Sequence, residues 1–262
     1  MEKTRRNFDG RNKPQAQDDG SVIVGRNPVM ELLKSGREIE KLYIQKGERE
    51  GSITKIFAEA KKRGIVISEV DKKRLDELSF GNAHQGVAAI ASSVAYKTVE
   101  ELVEIAREKG EKPLIVVCDG VEDPHNLGAI IRCADGAGAH GVVISKRHAP
   151  VIGQTVFKSS AGAAEHVAIA KVANIASAVE ELKELGVWTF AAEAGGMSYR
   201  DTDFDCAAAI VMGSEGDGVS RLVREKCDFT VSIPMRGKVN SLNVSTAAAV
   251  LLFEAAEKQH RN

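Results

Sequence analysis

No apolar run in this 262-residue chain approaches the length of a membrane span, and the first twenty residues, MEKTRRNFDGRNKPQAQDDG, carry charge but no hydrophobic core for a signal peptide. Both absences point to a soluble, cytoplasmic protein with no membrane partner. Cysteine is scarce. Cys118, Cys133, Cys206 and Cys227 stand far apart, no Cys-x-x-Cys pair occurs, and the six histidines do not gather at metal-ligand spacing. This pattern argues against a zinc site and reads the cysteines as reduced, structural thiols. No internal repeat is visible, and low complexity is confined to the N-terminal tail.

What is present suits ordinary globular cores: 43% of the residues are hydrophobic, and the length allows two domains or one large one. The net charge is −1 but unevenly spread. Between Lys34 and Arg74, twelve Lys or Arg stand against seven Asp or Glu, so this segment is basic and the rest acidic. A basic module suggests an anionic partner; a solvated Lys-rich surface explains the charge equally well.

Residues 1–20 are polar and read as a disordered tail. A small α/β domain follows over 21–93. Its strands are read at Val22 to Val24, Lys41 to Gln45, Ile65 to Val70 and Val87 to Ala91, with helices around Val29 to Leu33, Ser52 to Arg63 and Asp71 to Leu78. The turn Gly81 to Gly86 contains His84 and Gln85, which suit a hydrogen bond to a nucleotide or the bracing of the loop, with neither reading favoured. Thr98 to Lys109 is an amphipathic helix within a linker, 94–112, and Gly110 to Pro113 marks the boundary.

Beyond it, over 113–262, strand and helix alternate. Strands are expected at Leu114 to Cys118, Gly141 to Ser145, Val167 to Ala170, Val187 to Ala192, Ala208 to Met212 and Phe229 to Ile233. Helices are expected at Leu127 to Ala137, Val151 to Ala163, Ile175 to Leu185 and Val219 to Glu225, with a last one near the end. Short, nearly uninterrupted apolar strands between helices argue for a mostly parallel sheet covered on both faces.

In such sheets ligands bind beyond the carboxyl ends of the strands. Three loops there are unusual: Asp119 to Gly128, leading to a helix with Arg132; Gly213 to Gly218; and Pro234 to Asn243. The glycine loop reads G-x-x-G-x-G after a late strand, so it is not a dinucleotide fingerprint, and no Walker lysine follows it. Glu215 there would repel phosphate and suits a cationic ligand or ribose hydroxyls. Ser241, Asn243 and Ser245 stand at the mouth of the final helix, which is apolar almost all round and reads as buried. Capping is the ordinary role of such residues, but their alternation with Leu242 and Val244 suggests a lined pocket.

Asn126-Leu127-Gly128-Ala129-Ile130-Ile131-Arg132, then Gly213-Ser214-Glu215-Gly216, then Ile233-Pro234-Met235 with Ser241-Leu242-Asn243-Val244-Ser245 make three motifs in one order. On these the chain resembles the SpoU/TrmH family of RNA 2′-O-ribose methyltransferases, in the SPOUT superfamily. Val24-Gly25-Arg26-Asn27-Pro28-Val29 and His84-Gln85-Gly86 further resemble the substrate domain, of ribosomal protein L30 type, in members that modify guanosine in 23S ribosomal RNA.

The resemblance implies S-adenosylmethionine as methyl donor, a trefoil-knotted sheet over 113–262, and a homodimer with active sites near the subunit interface; no metal is expected, from the cysteine and histidine spacing. It assigns cofactor binding to Gly213, Ser214, Gly216, Ile233, Met235, Ser241, Leu242 and Val244, and the reacting centre to Asn126, Arg132, Glu215 and Asn243. RNA contact falls to Arg26, His84 and Gln85. Arginine stays protonated, so Arg132 is expected to bind a phosphate and stabilise a developing alkoxide; without the motif, pairing with Asp119, Glu122 or Asp123 would be preferred. Methylation of transfer RNA and non-catalytic RNA binding are the alternatives.

Overall fold

The computed structural model describes residues 21–35, 37–47, 51–79 and 82–260. The tail, 1–20, and Gly81 of the turn before His84 lie outside them. Within 21–91 the order is β1 (Ser21–Val24), α1 (Arg26–Lys34), β2 (Ile39–Gln45), α2 (Ser52–Lys62), β3 (Ile67–Val70), α3 (Lys72–Leu78) and β4 (Val87–Ala91). The sheet runs β1-β4-β2-β3, with β4 antiparallel to both neighbours and β2 parallel to β3. Val29, Leu32 and Leu33 of α1 meet Ile53, Ile56 and Ala60 of α2 over Leu42, Ile44 and Ala89. Helical spacing on one side and alternation on the other thus close this small core.

The larger body comprises α4 (Val99–Glu108), β5 (Leu114–Cys118), α5 (Pro124–Gly136), β6 (Gly141–Ser145), α6 (Gln154–Ser159) and a 3-10 turn (Ala163–Glu165). It continues with β7 (Ile169–Val172), α7 (Ile175–Glu184), β8 (Trp188–Ser198), β9 (Ala208–Met212), α8 (Arg221–Lys226), β10 (Phe229–Ser232) and α9 (Val244–Gln259). Strand order is β10-β8-β9-β5-β6-β7, parallel throughout. Strand β5 explains why the run LIVVC has no polar position. Leu114, Val116 and Cys118 pack on one face with α5 and α9, while Ile115 and Val117 pack on the other with α4 and α7. Each fully buried Leu, Ile or Val contributes about 1.5–3 kcal/mol.

Several segments differ from the sequence expectation for local reasons. The stretch 94–112, expected as a linker, carries α4, which buries Val99, Leu102, Val103 and Ala106 against the parallel sheet. A capping box between Thr98 and Glu101 starts that helix, so it belongs to the larger body. The helix expected from Val151 to Ala163 is only α6, because Ala161 and Gly162 take φ of 51° and 88° and break it. Strand β8 runs on to Ser198, since β10 pairs Thr230 with Ala191 and then jumps, pairing Val231 with Met197. The glycines Gly195 and Gly196 let the extra residues bulge.

Helix α9 is not buried all round. It covers Val244, Ala248, Leu251, Leu252 and Ala255 and leaves Phe253 52% exposed. Near its start Met235, Val239 and Leu242 are also exposed, so an apolar face remains open beside the helix mouth.

A buried polar cluster joins the two bodies. The fully buried carboxylate of Glu40 in β2 accepts from the Tyr96 hydroxyl and pairs with Lys171 of β7. Burial, and then the charge of Glu40, push the Tyr96 phenol well above its ordinary value, so it remains a donor.

Candidate active site

The loops after β5, β9 and β10 converge beyond the carboxyl ends of the parallel strands. In the β9 loop, a Cβ on Gly213 would lie 2.0 Å from the carbonyl carbon of Gly218, so only glycine permits this closure. Ser214 and Gly218 then exchange backbone hydrogen bonds of 3.0 and 3.2 Å, and Glu215 projects from the tip. In the β5 loop, the carboxylate of Asp123 accepts from the amide of His125 at 3.2 Å and Pro124 opens α5. The helix therefore begins one turn earlier than expected and presents Asn126 in its first turn. A Cβ on Gly128 would strike Ser159 of α6 at 1.9 Å, so this motif glycine serves close helix packing.

At the third loop Asn243 caps the final helix with one end of its side chain and meets the other two loops with the other. Its side-chain oxygen accepts from the backbone amide of Ser245 at 3.0 Å and from the Ser245 hydroxyl at 2.6 Å, capping α9. The amide nitrogen donates to Asn126 Oδ1 at 3.0 Å and to Glu215 Oε1 at 2.9 Å. Asn126, only 7% exposed, donates to the same Glu215 oxygen at 2.7 Å. Three residues separated by up to 117 positions thus form a closed hydrogen-bonded ring. A carboxylate oxygen with two amide donors is held in one place.

Glu215 of the ring lines two cavities, and Asn126 lines one of them. One, of about 380 Å3, is lined by all eight residues expected to hold a cofactor: Gly213, Ser214, Gly216, Ile233, Met235, Ser241, Leu242 and Val244. Glu193, Glu215 and Asp217 also line it, and no Lys, Arg or His does. Apolar walls with three carboxylates suit a ligand that has both an apolar body and positive charge. The other cavity, of about 440 Å3, shares Ser214 to Asp217 and Val244, and adds Glu122, Asp123, Asn126 and His148. Nothing in the motif reading pointed to Glu193. Its carboxylate accepts from the amide of Val219 at 3.3 Å and so ties β8 to the glycine loop; the signal available was a lone acid at the end of the apolar run WTFAA.

Arg132 does not join the ring. It is exposed, six residues beyond Asn126 on α5, hence about 9 Å along the axis and about 120° around it. The acids weighed as its partners are engaged elsewhere: Asp119 accepts from the amide of Ser220 at 2.8 Å, Asp123 caps α5, and Glu122 lies 3.1 Å from His148.

In the N-terminal body, Arg26 donates through Nε to the Gln85 carbonyl at 3.0 Å, and its amide donates to Gln85 Oε1 at 3.1 Å. His84 is buried. One ring nitrogen accepts from the amide of Gly86 at 2.9 Å and the other faces Asp76 at 3.0 Å. Its contacts are those of a loop brace. Among the described residues no cluster of His, Cys, Asp or Glu could hold a metal, and no helix is long and apolar enough to cross a membrane.

Comparison with known proteins bears on both bodies. Residues 113–253 match the SpoU rRNA Methylase family, and residues 22–97 match the RNA 2′-O ribose methyltransferase substrate binding family. The protein named TrmH family tRNA/rRNA methyltransferase YacO, from Bacillus subtilis, is 44% identical over 91% of this chain and 96% of its own. A protein of the same family name from Staphylococcus haemolyticus is 46% identical over 92% and 96%. Among solved structures, the SpoU methyltransferase AviRb from Streptomyces viridochromogenes, in complex with AdoMet, shares the fold. Its TM-score is 0.57, at 24% identity over 90% of this chain and 89% of that one. An AdoMet-bound rRNA methyltransferase from Sinorhizobium meliloti gives 0.54 at 25% identity, over 90% and 86%.

Proposed function

The chain belongs to the SpoU rRNA methylase family, and from that premise we propose that it methylates a ribose 2′-hydroxyl of RNA, on a guanosine of 23S ribosomal RNA, in the cytoplasm. The observation that carries the reading is the ring of Asn126, Glu215 and Asn243, whose carboxylate residue Glu215 lines two cavities. One cavity is for the cofactor and the other for the acceptor nucleotide.

S-adenosylmethionine, when bound, supplies an electrophilic methyl group on a sulfonium. The residues present fit such a cofactor. Ile233, Met235, Leu242 and Val244 offer apolar surface, the glycine loop offers backbone groups, and three carboxylates complement positive charge. Asn126 and Asn243 fix Glu215 at the boundary, where these groups orient the ribose hydroxyl towards the cofactor cavity. Positioning of two reactants supplies most of the rate in such a transfer. Arg132 binds the phosphate next to the reacting ribose and stabilises the developing alkoxide, which the planar fork of arginine suits.

Because Arg132 is turned away from the ring within one chain, its role favours a homodimer in which a second copy supplies it. The open apolar face of α9 around Phe253 supports the same assembly. The proposed fold of the larger body is a trefoil knot in which the C-terminal segment threads the chain, and that of 21–93 an L30-type substrate domain that uses Arg26 and Gln85, with His84 acting through the loop it braces; the match of residues 22–97 to a substrate-binding family supports the second. Transfer RNA remains the second reading, on the tRNA/rRNA names of the relatives.

The test is binding of labelled S-adenosylmethionine to the purified protein, followed by label transfer to total RNA. Saturable binding with transfer into ribosomal RNA is expected. Transfer into transfer RNA alone would select the second reading, and failure to bind S-adenosylmethionine would favour a non-catalytic RNA-binding protein with a degenerate cofactor pocket.

A further inference from the structure

A third cavity, of about 550 Å3, is lined wholly by residues of the N-terminal body, away from the ring. This is within the usual range of about 300–1,000 Å3 for ligand sites. Arg26, Lys46 and Lys72 border it from α1, the end of β2 and the start of α3. Against these three cations stands one lining carboxylate, Asp76, already engaged by His84 at 3.0 Å. Lys46 lies 3.6 Å from Asp71, an exposed and therefore weak pairing.

Ile53 and Gly86 form a buried apolar floor, and Gln45, Asn82 and Gln85 border it with side-chain amides. The Asn82 nitrogen already donates to the Ser79 carbonyl at 2.8 Å and the Gln85 oxygen accepts from the Arg26 amide, which leaves the Asn82 oxygen and the Gln85 nitrogen to face a ligand. A Cβ on Gly86 would lie 3.2 Å from Ile53 Cδ1, at a φ of +82°, so glycine keeps that floor open. Gln85 is held at φ 51°, uncommon for a side chain of its size, by His84 below and Arg26 beside it. Strain of this kind persists where surrounding contacts fix a working geometry.

A cationic rim, amide-bearing walls and an apolar floor are the complements of a phosphate, a base edge and a base face. We propose that this cavity takes one unpaired RNA nucleotide, its base inside and its phosphate against Arg26, Lys46 and Lys72, so that the N-terminal body selects looped or bulged RNA over continuous duplex. Duplex RNA hides its base edges in a deep, narrow groove, whereas an unstacked base can enter such a cavity. The inference rests on the reading of the chain as an RNA methyltransferase and adds how its RNA is chosen.

The experiment uses the full chain and three hairpin RNAs that differ at one position: a bulged 2-aminopurine nucleotide, an abasic bulge, and no bulge. The bulged hairpin is expected to bind about tenfold tighter than the other two, the scale of one stacked and hydrogen-bonded base, with a change in 2-aminopurine fluorescence on binding. Lys46→Ser with Lys72→Ser, both on exposed side chains, should weaken binding of the bulged hairpin and lower its salt slope by about two. Equal affinity for all three hairpins, or an unchanged salt slope in the double variant, would overturn the proposal. Cofactor binding and methyl transfer to ribosomal RNA, measured on the same preparations, report on the enzymatic reading separately. Transfer retained without a bulge preference would remove the cavity's role and leave the enzyme.

Discussion

Asn243 meets two demands with one side chain. Its oxygen caps α9 and its nitrogen holds Asn126 and Glu215, so cap and site are one feature. Arg132 is the opposite case, a side chain that meets none of its expected partners within the chain. Arg132→Ala should therefore abolish methyl transfer while changing cofactor affinity less than about threefold, and Arg132→Lys should restore only part of the rate, lacking the bidentate fork. Mixed dimers with Arg132→Ala on one copy and Asn243→Ala on the other should recover one intact site and about a quarter to a half of the wild-type rate. That range supposes sites built from both copies. Equal loss of cofactor binding in the arginine variants would instead put Arg132 in the cofactor cavity.

Individual elements carry their own test where α7, α8, β8 and β10 meet. Burial opposes ionisation of Asp228, but the Lys183 ammonium at 2.8 Å and the Thr189 hydroxyl and amide at 2.7 and 3.0 Å outweigh it, and the carboxyl sits below its ordinary value. A depressed folded value means stability that is present above the unfolded carboxylate range, about pH 4, and is lost as pH falls through the folded value. Asp228→Asn should cost about 2 kcal/mol near neutrality, and its melting curve should converge on that of the wild type in acid. A gap independent of pH would exclude this linkage. Elements were also where the sequence was unevenly legible. The runs LIVVC, GVVIS and AAIVM match β5, β6 and β9 end to end, because strands covered on both faces have no polar position to confuse the pattern. The extension of β8 depends on pairing with β10, and the break after α6 on positive φ at Ala161, neither of which periodicity encodes. The eight residues that the family motifs assign to a cofactor all line one cavity, whereas Glu193, outside any motif, joins that lining only when β8 is set beside the glycine loop.

For the molecule as a whole, the larger body holds the whole parallel sheet together with α4, and the basic module approaches it through Glu40, Tyr96 and Lys171. Residues 94–262 alone should fold and bind S-adenosylmethionine with near wild-type affinity. Removing the module's phosphate contacts should flatten the salt dependence of RNA binding and slow methylation strongly. An unchanged slope and rate would show that RNA capture resides elsewhere.

Ribose methylation at the ring of Asn126, Glu215 and Asn243 is tested by mapping alkali-resistant positions in ribosomal RNA from a strain lacking the protein, before and after treatment with wild type or Asn243→Ala. Alkaline cleavage requires a free 2′-hydroxyl to attack the adjacent 3′-phosphate, and a 2′-O-methyl group replaces its proton, so wild type should create one new resistant guanosine. Asn243→Ala should create none while melting within about 1 kcal/mol of wild type. Methyl groups found on bases with cleavage unchanged, or full turnover by Asn243→Ala, would contradict the account.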